Sequence, residues 1–227
     1  GYTPQMVSVH DPDEYLAMAE SRDHYLSLYN DILEAYRALY DLKKEGKILH
    51  LGVSVEKVEE ALKAIEYENV TTVQIIFNMF RQRPADLFFR EAKQKNIGII
   101  VRVPLASGLL TGQYSASTSF DKGDHRFFNR DGAGFDKGET FSGVDYATGL
   151  QAVEALKEIF PNDLAAAALQ WVLHFEAVST VIPGASRPDQ LLRNLAAMNR
   201  AALTTTEMEK VKAMYEQYIK PSVHHLW

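Results

Sequence analysis

Unbroken β-branched runs that alternate with helical stripes constrain this chain more than any other feature. The clearest is Ile97-Gly-Ile-Ile-Val-Arg-Val-Pro-Leu-Ala-Ser-Gly-Leu-Leu110, a strand that passes through Pro104 into a turn of small residues. A strand apolar on both faces is typical of a parallel sheet covered by helices. Residues 5–9, 48–54, 70–77 and 178–182 read as further strands. Between them Ile32, Leu33, Tyr36, Leu39 and Leu42, then Val58, Ala61, Leu62 and Ile65, recur at helical spacing, with Gly46 as the stop of the first helix. Pro84 opens a helix that runs to Lys95. Further helices are expected over 146–160, 162–175 with Asn162 or Asp163 as N-cap, 188–198 and 206–219. Such alternation predicts right-handed βαβ units and one α/β domain over 1–227, interrupted by a long loop at about 113–145 that is too long for a plain connector.

Composition narrows the function classes. With 46% hydrophobic and 24% charged residues the chain suits an ordinary globular core. It has no cysteine, which excludes disulfides and thiolate chemistry and fits a cytoplasmic setting. A net charge of −6 with dispersed Lys and Arg argues against nucleic acid or an anionic membrane as partner. No apolar run has the length of a membrane span.

The polar residues of interest stand where strands end: His10, Ser54, Gln74 with Asn78, Arg102, and Ser186 with Arg187. In parallel α/β folds that end carries the ligand. Arg102 is the one cation in an apolar strand, so it is either a ligand contact or half of an internal ion pair. No cluster has metal-ligand spacing, and neither a nucleophile elbow nor a Gly-x-Gly-x-x-Gly fingerprint occurs. The turns Ala106-Ser-Gly-Leu-Leu and Gly184-Ala-Ser-Arg can present backbone N–H groups to phosphate, with Arg187 adding charge. Ser54 and Gln74 can grip a carboxamide. Two phosphate-friendly turns and such a grip suggest a nicotinamide dinucleotide; ordinary strand-to-helix turns with capping residues are the other reading.

The succession His10-Asp-Pro, Glu45-Gly-Lys-Ile-Leu-His-Leu-Gly-Val-Ser54, Val73-Gln-Ile-Ile-Phe-Asn78, Val101-Arg-Val-Pro-Leu-Ala-Ser-Gly-Leu-Leu-Thr-Gly112 and Val181-Ile-Pro-Gly-Ala185 through Gln190 and Asn194 resembles the aldo-keto reductase family. The resemblance implies a (β/α)8 TIM barrel that binds NADP(H), or NAD(H), across its rim and exchanges hydride with a small carbonyl compound or a sugar-like alcohol. It makes His10 the active-site histidine. Ser54 and Gln74 hold the carboxamide, and Arg102 lies beside the nicotinamide. Pro104, Leu105, Ser107, Gly108 and Leu109 wrap the pyrophosphate, while Gly184, Ser186, Arg187, Gln190 and Asn194 lie along the adenosine end. Val55 stands where many members have asparagine, and Gly184 and Gln190 where others use cations for the 2′-phosphate, leaving Arg187 as the anion partner. The family's catalytic tyrosine, lysine and aspartate belong to βα units ahead of the part matched here. The expectation is therefore an N-terminally truncated barrel with about five of its eight strands and impaired turnover. A cofactor-binding regulatory or sensor subunit without turnover is the alternative.

Overall fold

A computed structural model describes residues 34–227. The strand expected over 5–9 and His10 at its end lie outside the described residues. The chain packs as two compact units, one ending at Leu51 and one running Gly52–Trp227. In the first, helix α1 covers 34–44 and Gly46 follows at φ +72, the left-handed stop its sequence predicts.

The second unit is an α/β arrangement. Strands β1 (Leu51–Ser54), β2 (Val70–Ile76), β3 (Gly98–Arg102) and β4 (Val178–Ile182) form one sheet in the order β1-β2-β3-β4. β2–β3 and β3–β4 pair in parallel, with Ile76 opposite Arg102 and Arg102 opposite Ile182. The strand ends therefore share one rim, as the alternation predicts. Val73, Ile75, Ile76, Ile99 and Val101 are wholly buried, which is why these strands read apolar. Edge strand β4 differs: Ile182 is 50% exposed.

Helices α2 (Val58–Ala64), α3 (Phe88–Gln94), α5 (Tyr146–Ile159), α6 (Leu164–Leu173), α7 (Pro188–Ala197) and α8 (Thr205–Met214) follow the expected stripes. Their starts are chemically marked. Asp145 accepts from Thr148 N at 3.0 Å, Asp163 from Ala166 N at 2.9 Å, and Thr204 forms a capping box with Glu207. Phe77 anchors the core, its ring 4.9 Å from Trp171 and 4.6 Å from Phe89.

Three boundaries differ from expectation. The strand expected over 48–54 begins at Leu51. The helix from Pro84 to Lys95 is two pieces, a 3-10 turn Arg83–Ala85 and α3, because Leu87 leaves helical geometry at φ −135. The last helix passes after Met214 into a π turn, Tyr215–Ile219, followed by the single turn α9 (Lys220–Val223). Within 113–145 the short helix α4 (His125–Phe128) and the 3-10 turns Lys137–Glu139 and Phe141–Gly143 pack inward, and Phe141 and Ser142 are buried.

Candidate active site

Ser54 ends β1 and Gln74 stands two residues before the end of β2, and their side chains meet, Gln74 Nε2 lying 3.4 Å from Ser54 Oγ. Neighbouring strands hold them side by side. Asn78, past the end of β2, is fully buried and acts as a clamp. Its Nδ2 donates to Val103 O at 2.9 Å and lies 2.9 Å from Ser142 Oγ, while Oδ1 accepts from Phe80 N at 2.8 Å. The ends of β2 and β3 are thereby tied to the long loop.

Arg102 takes the ion-pair arm of the two readings its sequence left open. Its Nη2 pairs with Glu56 Oε1 at 2.6 Å and lies 3.3 Å from Val55 O, and its Nη1 pairs with Glu139. Arg81 lies below, fully buried, stacked over the Trp227 ring at 4.1 Å and donating to Glu56 O. Burial pulls the Arg81 guanidinium down to about 10. It also raises the Glu56 carboxyl, helped by its hydrogen bond to Glu139 and opposed by Arg102. The buried side-chain atoms without a hydrogen-bond partner among the described residues all fall in this cluster: Glu56 Oε2, Arg81 Nε and Nη1, Arg102 Nε and Trp227 Nε1. The sequence reading missed Glu56, Arg81, Glu139 and Trp227. Glu56 stands two residues past Ser54 and Arg81 is the one charge in the apolar run 75–81, the same signal that singled out Arg102.

Beyond β3 the backbone bends sharply. Val103, Ala106 and Ser107 hold φ of 51, 47 and 55, and Phe141 and Ser142 in the long loop hold 53 and 57. Positive φ in non-glycine residues, above all β-branched Val103, is strained geometry that surrounding contacts must enforce. Ser107 supplies them: its Oγ donates to Glu139 O at 2.9 Å and accepts from Phe141 N at 3.1 Å. The amides of Ala106, Gly108 and Leu110 bond to Val103 O and Leu105 O inside the turn itself. Leu109 is 1% exposed and packs in the core.

An open groove of about 1220 Å³ gathers most of the remaining residues. Pro104, Leu105, Ser107 and Gly108 line one part of it, and Gly184, Ser186, Arg187, Gln190 and Asn194 another. Gln190 Oε1 accepts from Ser186 N at 2.8 Å and Oγ at 3.0 Å, and Asn194 Nδ2 donates to Gly184 O at 3.2 Å, so both shape the 184–187 turn. Arg126, Lys157 and Arg193 also line the groove, three cations that the sequence reading did not single out. Ser54, Gln74, Arg102 and Leu109 are not among its lining residues. Among the described residues no His, Asp and Glu cluster suits a metal, and no helix is long and apolar enough to cross a membrane.

Comparison with known proteins agrees with this layout. The model of the Aldo/keto reductase family matches residues 2–216. An uncharacterized oxidoreductase, YqkF, of Bacillus subtilis is 25% identical over 214 residues, covering 89% of this chain and 64% of its own length. L-glyceraldehyde 3-phosphate reductase of Escherichia coli O157:H7 is 28% identical over 200 residues, covering 86% of this chain and 56% of its own. The solved structure of the glycerol dehydrogenase AKR11B4 from Gluconobacter oxydans superposes with a TM-score of 0.61 at 26% identity, over 80% of this chain and 53% of that one. The chain thus spans under two thirds of the length of these relatives. With the strand-end rim, the groove beside it and a family match over nearly all its residues, this chain belongs to the aldo/keto reductase family.

Proposed function

We propose that the chain is part of an NAD(P)(H)-dependent oxidoreductase acting on a small carbonyl compound or the corresponding alcohol, with its sheet forming part of a (β/α)8 barrel. The observation that carries this reading is the groove shared by the 104–108 and 184–194 segments. The names of its relatives, a reductase of L-glyceraldehyde 3-phosphate and a glycerol dehydrogenase, are those of carbonyl and alcohol redox enzymes.

The residues present fit a dinucleotide in part. Arg126, Lys157, Arg187 and Arg193 line the groove together with the carboxylates Glu139 and Asp163, so cations outnumber acids where an anion would lie. Gly108, at φ +96, packs against the protein's own Tyr114 ring, where a Cβ would meet Cζ at 2.8 Å, so this glycine serves the turn itself. The 106–110 turn fits less well, since three of its amides and the Ser107 hydroxyl are already engaged. Bound nicotinamide cofactor would supply the hydride. Ser54 and Gln74 would orient the carboxamide, the 184–194 segment would hold the adenosine end, and Arg102, with its guanidinium fixed by Glu56 and Glu139, would present a planar cation near the ring. His10 is the proposed active-site histidine, orienting the carbonyl oxygen. NADP(H) is the preferred cofactor, with Arg187 meeting the 2′-phosphate and NAD(H) the alternative. Cofactor binding without turnover, as in a sensor subunit, is the second reading.

NADPH oxidation by the full-length protein, followed by absorbance with a panel of aldehydes and ketones, tests the proposal. Turnover with a saturable aldehyde supports it. Quenching of NADPH fluorescence without turnover selects the sensor, and no NADPH or NADH binding overturns both.

A further inference from the structure

The groove wall at α7 carries a charge surplus that the rest of its lining lacks. Arg126 has its own carboxylate, Asp124, with Nη2 to Oδ2 at 2.5 Å, and Lys157 has Glu154 at 2.7 Å. Arg187 and Arg193 share one. Asp189 Oδ1 accepts from Arg187 Nε at 3.1 Å, and Asp189 Oδ2 accepts from Arg193 Nη2 at 2.7 Å. Two guanidinium groups against one carboxylate leave a positive charge uncompensated at this corner, and the hydrogen bond from Arg187 keeps Asp189 ionised by lowering its pKa.

We propose that Asp189 determines which nicotinamide dinucleotide the groove prefers, by standing between Arg187 and Arg193 as an internal substitute for a ligand phosphate. This rests on reading the groove as the cofactor cradle. A 2′-phosphate approaching Arg187 meets the Asp189 carboxylate already on its Nε, and must displace it or bind against its charge. A dinucleotide with a bare ribose hydroxyl makes no such demand. Arg187 meets Asp189 through Nε alone, so Nη1 and Nη2 have no partner among the described residues and remain available to phosphate oxygens.

The exposure of the trio makes this exchange physically reasonable. The Arg187, Asp189 and Arg193 side chains are 63%, 55% and 66% exposed. Exposed pairs of this kind are weak and screened by salt, so they can rearrange around a ligand without unfolding anything. Asp189 thus acts as a brake on phosphate binding rather than a block. Arg193, which does not lie where the family resemblance places an anion partner, becomes a second cation that the same phosphate can recruit once Asp189 gives way.

Fluorescence titration of the full-length protein with NADPH and with NADH, at low and at high salt, tests this. Asp189→Asn keeps the size and an acceptor oxygen but removes the charge. It should tighten NADPH binding about threefold to tenfold while moving NADH less than about twofold, and the difference should shrink at high salt. Arg193→Ala should weaken NADPH by a similar factor and leave NADH alone. Asp189→Ala repeats the charge removal without the amide, and unchanged melting temperatures confirm that all variants fold. Equal shifts for both cofactors, no shift, or weaker NADPH binding in Asp189→Asn overturns the proposal while the cradle reading stands. A wild-type protein that binds neither cofactor overturns both.

Discussion

The two ends of the candidate site handle charge in opposite ways. Around Arg81 and Arg102 the charges are drawn into the protein: Arg81 is fully buried, its neighbours Glu56 and Glu139 are partly so, and unpartnered polar atoms collect there. At the α7 corner Arg187, Asp189 and Arg193 lie in solvent, with short bonds and room to rearrange. Desolvated charges are costly to separate, whereas solvated ones exchange partners cheaply. The first region therefore suits holding a geometry, the second adapting to a ligand.

The largest effect that could break this contrast comes from Arg81. Replacing it by alanine removes the cation stacked on Trp227 and the donor to Glu56 O. Breaking a buried charge cluster costs about 3–5 kcal/mol, so urea unfolding of Arg81→Ala should show a loss of that order. Arg187→Ala, at the open corner, should change stability by less than about 0.5 kcal/mol. Similar losses for the two variants would erase the distinction between the regions.

A smaller effect tests the segment that joins them. Gly108 holds φ +96 and faces the Tyr114 ring, so Gly108→Ala meets both a disfavoured backbone and a filled space. The expected cost is about 1–3 kcal/mol in thermal or urea unfolding. Gly123→Ala, where a Cβ meets nothing within 4 Å, is the control and should be close to neutral.

How much of this was legible in the sequence follows the same divide. Strands β2, β3 and β4 and helices α5 to α7 were readable because a buried strand or a helical stripe writes its environment directly into residue type. The grouping of 104–108 with 184–194 was readable because strand ends converge in parallel sheets. The Arg81 cluster was not, since its members come from positions 56, 81, 102, 139 and 227 and no local spacing links them. Nor was the break at Leu87, where a turn that seats buried Pro84 and Phe88 overrides a good helical pattern. Asp189 was invisible for a simpler reason: an acidic residue in a first helical turn is common, and its link to two arginines appears only when their side chains are placed.

The smallest effects lie in pH dependence, where the buried rim and a more open pair should slope in opposite directions. Burial raises Glu56 above its ordinary 4.5, so the folded state binds its proton more tightly than the unfolded state does. Its contribution is fully present below about pH 4.5 and is lost as pH rises through the raised value. Asp124 is held down to about 2, from 3.8, by the hydrogen bond from the Arg126 side chain. That contribution, of order 1–2 kcal/mol, is present above pH 3.8 and fades as pH falls toward 2. Urea midpoints from about pH 2 to pH 8 for the wild type, Glu56→Gln and Asp124→Asn separate the two. Glu56→Gln should flatten the decline above pH 4.5 and leave the acid limb alone, while Asp124→Asn should flatten the acid limb and leave the upper range parallel to wild type. A Glu56→Gln curve that stays parallel to wild type from pH 4.5 upward would mean that Glu56 is solvated, and the rim would then be as open as the α7 corner.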